Sequence, residues 1–160
     1  MAATLSDQDI RKLILEKKPL PADFRTKLQL KPKAGHKERE LDVNGVDGGE
    51  YRLILRQSNF NSLDFSVILV YKFAKSNLLF RLRRYNGKSH EHTNAIEGST
   101  FYDFHIHEAT ERYQDMGTRE DAYACPSDRF ADVFEAISCL LKDCSFEIAP
   151  SAQGRLFEEL

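Results

Sequence analysis

The chain has 160 residues, of which 41% are hydrophobic and 11% aromatic, enough to build the core of one domain, taken as 1–160. A formal net charge of −2 argues against a protein that coats nucleic acid uniformly, and no apolar run approaches the roughly 18 residues that span a bilayer. The opening MAATLSDQDIRKL has neither the apolar stretch nor the small-residue cleavage site of a signal peptide, so a soluble, cytoplasmic protein without membrane partners is expected.

In chain order, residues 6–18 predict a short amphipathic helix. Ser6 is a suitable N-cap, Asp7 and Asp9 suit the first turn, and Pro19 and Pro21 end the pattern. Together with the mixed basic stretch 22–37, read as a solvated loop, this forms an N-terminal section 1–37. The sheet is expected over 38–107. A first strand at 38–43 is followed by the turn signals Asn44-Gly45 and Asp47-Gly48-Gly49. Tyr51–Arg56 alternates, with Tyr51, Leu53 and Leu55 on one face. Phe65–Phe73 is the most apolar strand and reads as central, with Phe65, Val67, Leu69, Tyr71 and Phe73 sharing a face.

The stretch Leu78–Gln114 carries most of the reactive side chains. Strand alternation over Leu78–Tyr85 puts Leu78, Phe80 and Leu82 on one face and Arg81, Arg83 and Tyr85 on the other. In Phe101–His107, Tyr102, Phe104 and Ile106 lie opposite Asp103, His105 and His107. Pairing of the two strands would bring the apolar faces together and the histidines and arginines together, on an accessible face. The connection between them, Asn86–Thr100, carries His90 and His92.

Residues 108–148 are expected to be helical. Glu108–Asp115 suggests one or two turns, broken at Met116-Gly117. Ser127 reads as the N-cap of a long C-terminal helix, whose apolar stripe comprises Phe130, Val133, Phe134, Ile137, Leu140, Leu141 and Cys144. Residues 149–160 read as a tail. The fold class is therefore α+β: a four- to five-stranded antiparallel meander, covered on one face by the long C-terminal helix and the short N-terminal helix.

Three cysteines, Cys125, Cys139 and Cys144, are an odd number without a CxxC spacing and read as buried free thiols. Charge is distributed unevenly. No acidic residue lies between Phe65 and His90, which holds Lys72, Lys75, Arg81, Arg83, Arg84 and Lys88; from Glu108 onward twelve acidic residues face five basic ones. That polarity suits a local anionic partner, and equally a solvated sheet face balanced by an acidic helix.

Three chemistries fit the loaded face. Metal-free RNA cleavage needs a base for the 2′-hydroxyl, an acid for the leaving oxygen and cations for the phosphorane. His105 and His107, with His90, His92 and Glu108, are the acid–base candidates; Arg81, Arg83, Tyr85 and Lys88 are the candidates for binding phosphate or RNA. No cofactor is then needed. Alternatively, His90-Glu91-His92 and His105-Ile106-His107 are both HxH patterns. On a strand these put two imidazoles roughly 6–7 Å apart at the Cα level, within reach of one divalent metal such as zinc, manganese or iron, with Asp103 or Glu108 completing the set. In the third reading nothing is catalysed: the face binds protein or nucleic acid, or its histidines and arginines serve the fold.

The segments FRLRRYNGKSHEHTN and FYDFHIHEATERYQ resemble an uncharacterised bacterial family of similar length. More distantly, Arg81 to Asn86, His90, His92, His105 and His107 resemble the pattern of the TumE-like toxins of bacterial toxin–antitoxin pairs: an aromatic-arginine strand, an asparagine-and-histidine loop, and a histidine-rich strand. The resemblance implies an RNA-cleaving protein neutralised by a small DNA-binding antitoxin. It covers under a third of the chain, which has a longer N-terminal segment and a longer C-terminal helical region than that family.

Overall fold

A computed structural model describes residues 4–149. Helix α1, Asp7–Leu15, starts where Ser6 Oγ accepts a hydrogen bond from Asp9 N, and buries Ile10 and Ile14. It ends three residues short of the expected 18, because Lys18–Pro19 extends into strand β1 and pairs in parallel with β11, Phe146–Glu147.

The stretch expected as a basic loop is structured instead. It contains a single-turn helix α2, Phe24–Lys27, and strand β2, Lys31–Lys33, which forms a hairpin with β3, His36–Asn44. Gly35, with a φ of 79°, supplies the left-handed residue of that turn. Pro32 is tolerated because β2 is an edge strand. Next come β4, Glu50–Ser58, β5, Phe65–Lys72, and β6, Leu79–Asn86. Each pairs antiparallel with its predecessor, as the meander reading expects.

The main sheet is wider than expected, with seven strands rather than four or five. After β6 the chain makes a small separate hairpin, β7, His92–Thr93, and β8, Thr100–Phe101. It then returns as β9, His105–Glu108, alongside β6. Thr110 caps α3, Glu111–Asp115. A further strand, β10, Tyr123–Pro126, lies outside β9 at the sheet edge. The order across the sheet is β10-β9-β6-β5-β4-β3-β2. The region 108–148 is thus helical only in part.

The C-terminal helix α4 is Val133–Asp143, eleven residues, and shorter than expected. Asp132, not Ser127, is its cap, accepting from Glu135 N at 2.8 Å. Pro126 is committed to the β10 ladder opposite His105, so the chain has to turn before a helix can start. The Ser127 hydroxyl serves that turn by accepting from Arg129 N. The expected tail lies outside the described residues from position 150 onward.

Helices α1 and α4 cover one face of the sheet. Val133, Ala136, Ile137, Leu140 and Leu141 of α4 pack with Leu53, Leu55, Val67, Leu69, Leu82 and Tyr85 in one continuous core. Burying each such aliphatic side chain contributes roughly 1.5–3 kcal/mol. Cys144 is inside this core, but Cys125 is exposed and Cys139 half-buried, so the buried-thiol reading holds for only one of the three.

Strand β6 departs from regular alternation. Val70 pairs with Arg81 and Leu69 with Arg83, leaving Leu82 as an extra residue. Such a bulge places two successive side chains on one side of the sheet. Leu82 and Arg83 both lie on the helix side, where they line a cleft with Ile10, Glu108 and Asp143. Beyond the bulge the parity is reversed: Tyr85 enters the helix-side core and Arg84 points to the outer face.

Candidate functional site

Four histidines do gather, on the sheet face away from the helices. Strand β9 places His105 opposite Asn86 and His107 opposite Arg84, so all four side chains project to the outer face. The β7–β8 hairpin folds over that face and brings His92 and Phe101 onto them. Ring centroids are 4.9 Å apart for His105–His107, 4.9 Å for His92–His107 and 5.6 Å for His92–His105. His90 stands edge-on to His105 at 6.1 Å, and Phe101 touches both His92 and His105.

The face is not open. His105 is 0% and His107 3% exposed, under the segment that carries His92 and Phe101. His92 is half-buried and His90 exposed. The accessible histidine–arginine face expected from alternation is therefore a covered one, because the connection between the two strands folds back instead of looping into solvent.

The proton positions follow from the partners. A carbonyl can only accept, so His105 Nδ1 donates to the Asp103 carbonyl at 2.7 Å and His107 Nδ1 to the Asp121 carbonyl at 2.7 Å. Each neutral ring then keeps its lone pair on Nε2. Burial pushes His105 down to about 4, with His92, His90 and Arg84 adding in the same direction. Burial, then the Arg84 and His105 charges, push His107 down to about 2. Both rings are neutral at pH 7. His105 Nε2 is buried and accepts no hydrogen bond.

Next to the imidazoles is a charged network. Asp121 is fully buried, 3.1 Å from Arg84 Nε and 3.7 Å from Arg81 Nε. Two of its atoms lack hydrogen-bond partners, Asp121 Oδ1 and Arg81 Nε. Burial lowers Arg84, and Asp121 opposes that. Both guanidinium groups are thus committed to an internal carboxylate.

Three candidates fall elsewhere. Arg83, Tyr85 and Glu108 belong to the helix side. Tyr85 is buried in the core and donates to Asp143 Oδ2 at 2.5 Å, while Arg83 and Glu108 line the cleft beside α1. The bulge moved the first two, and Glu108 follows His107 with the opposite parity. Lys88 sits half-buried in the connection from β6 to β7. Sequence reasoning missed Arg84, Asp121, Asn94 and Phe101. Arg84 had a signal: Phe80, Leu82 and Tyr85 are spaced two and then three apart, which regular alternation cannot bury on one face. Asp121 and Asn94 have none, since both reach the site through tertiary folding.

For the metal alternative at His90, His92, His105 and His107, the donor atoms decide. Among the described residues no group of three or more His, Cys, Asp or Glu side chains is set to hold an ion. No helix among the described residues is long and apolar enough to cross a membrane. Comparison with family models, curated proteins and solved structures found no match.

Proposed function

We propose that this chain is a small RNA-acting protein, a metal-independent endoribonuclease of the toxin kind, whose imidazole cluster transfers protons at a phosphodiester. The observation that carries the reading is the buried, unpartnered Nε2 lone pair of His105, held among three other imidazoles. A buried acceptor without a donor is costly, on the order of 1–3 kcal/mol, and a ribose 2′-hydroxyl supplies the missing donor.

In this reading His105 Nε2 takes the 2′-hydroxyl proton as the 2′-oxygen attacks phosphorus. The P–O5′ bond breaks, and protonated His92 gives a proton to the departing 5′-oxygen. The products are a 2′,3′-cyclic phosphate and a 5′-hydroxyl. A group that titrates near 4 is a weak base, but a bound phosphate beside it raises its affinity for a proton. Arg84, although paired with Asp121, lies on this face and adds positive potential towards the phosphorane charge. His90, exposed at the rim, is a second proton donor or a stacking surface for a base. Because His105 is covered, RNA reaches it from the rim, where His90 is exposed and His92 half-buried. Resemblance to the toxin pattern supports a small antitoxin as partner, and a short DNA-binding protein encoded next to this chain would fit it.

The test is incubation of purified protein with single-stranded RNA in excess chelator. The reading predicts cleavage that His105→Ala abolishes. Intact RNA under every condition would overturn it, and cleavage only after metal is added would transfer the site to metal chemistry.

A further inference from the structure

Asn94 is 3% exposed and lies two residues beyond His92, in the turn of the β7–β8 hairpin. Its side-chain amide pairs with the backbone of Ala124 on the edge strand β10. Nδ2 donates to the Ala124 carbonyl at 2.7 Å, and Oδ1 accepts from Ala124 N at 2.9 Å. Nδ2 also donates to Ser99 Oγ at 3.1 Å. This double bond to one residue mimics the pairing of a further strand and pins the hairpin to the sheet.

The amide orientation is fixed by that pairing. Rotating it by half a turn would set Nδ2 against the Ala124 N–H and Oδ1 against the Ala124 carbonyl, which loses both bonds. The oxygen therefore faces His92 Nε2, 2.8 Å away. An oxygen that can only accept requires Nε2 to carry the proton. His92 thus has the opposite tautomer to His105 and His107, with its free nitrogen at Nδ1.

We propose that Asn94 is the positioning residue of this cluster: it holds His92 in the Nε2–H tautomer, so that Nδ1 is the atom at which His92 gains and gives up a proton. The inference deepens the RNA-cleavage reading by assigning the atom of its acid, but the tautomer stands or falls without any activity. The rule that orients imidazoles in metal sites, a fixed acceptor on the ring nitrogen that does no chemistry, applies equally to a proton donor.

The experiment is 15N NMR of the imidazole nitrogens in the intact protein at alkaline pH, for the natural protein, Asn94→Ala and Asn94→Asp. The natural protein is expected to show His92 protonated at Nε2. Asn94→Asp loses the bond to the Ala124 carbonyl but keeps an acceptor for His92 Nε2, and is expected to keep that signature. Asn94→Ala loses it, giving a mixture of tautomers. A His92 protonated at Nδ1 in the natural protein overturns the proposal. So does an unchanged His92 signature in a folded Asn94→Ala, which would mean that the residue only secures the hairpin. If Asn94→Ala does not fold, the natural protein and Asn94→Asp decide. Where RNA cleavage is present, Asn94→Ala should lower its rate by about 10- to 100-fold, with partial rescue by Asn94→Asp. The expected tautomers in a protein that never cleaves RNA would leave this assignment standing and overturn the functional reading alone.

Discussion

Two imidazoles that are neutral when folded and titrate normally when unfolded make the fold sensitive to acid. The folded values of about 4 for His105 and about 2 for His107 lie below the ordinary 6.5, so the unfolded chain binds more protons as pH falls through 6.5. Stability is fully present above that value and declines below it, by about 1.4 kcal/mol per pH unit for each ring until its folded value is reached. The lowered carboxylates, among them Asp143 and Glu16, act in the same direction but only below their own ordinary values of 3.8 and 4.5. Between pH 7 and 5 the histidines therefore dominate. Denaturant unfolding should show a loss of a few kcal/mol over that window, reduced in His107→Phe. A flat profile would mean that the rings are already hydrated.

Among the elements, β6 separates what the sequence shows from what it hides. The neighbouring strands are legible, because Tyr51, Leu53, Leu55, Val67 and Leu69 alternate without interruption and all enter the core. The pairing of β6 with a histidine strand was also legible, and with it the gathering of His105 and His107. Regular alternation misses the extra residue at Leu82, marked only by the uneven spacing of Phe80, Leu82 and Tyr85, which sends Arg83 and Tyr85 to the helices and Arg84 to the histidines. Nor could it supply the inward fold of the β7–β8 hairpin, which depends on Asn94 meeting Ala124 some thirty residues away. The bulge makes a clear prediction about the two adjacent arginines. Arg84→Ala leaves the buried Asp121 with a single partner at 3.7 Å and should cost roughly 3–5 kcal/mol. Arg83→Ala, with one long hydrogen bond of 3.4 Å to Tyr85, should cost about 1 kcal/mol or less. Equal losses by thermal or denaturant unfolding would refute this register.

At the scale of the whole molecule, Lys18 ties the end of α1 to the end of α4. Its buried ammonium shares its three N–H groups among four carbonyls: Leu13 at 2.8 Å, Ile14 at 3.1 Å and Glu16 at 2.8 Å, all at the end of α1, and Cys144 at 2.7 Å, just past α4. These are the carbonyls that helix C-termini leave without partners, and a cation there also suits the dipoles. Burial pushes the group down to about 8, which still leaves it charged at neutral pH. The neighbouring Glu16 carboxylate accepts from Tyr51 Oη, Asp47 N and Gly49 N, so the start of the chain is locked against the β3–β4 turn as well. Lys18→Met keeps the volume and removes every donor. It should cost about 3 kcal/mol or more, read as a lower denaturation midpoint, without altering the imidazole NMR signals of the folded protein.

The imidazole cluster lies on the opposite face of the sheet from these locks, so its chemistry can be tested in a folded protein. The most direct measurement is the chemical identity of RNA ends produced by the protein in excess chelator. Proton transfer by His105 and His92 predicts 2′,3′-cyclic phosphate and 5′-hydroxyl ends, absent with His105→Ala. Ends bearing a 3′-hydroxyl and a 5′-phosphate, or RNA left intact, would contradict it.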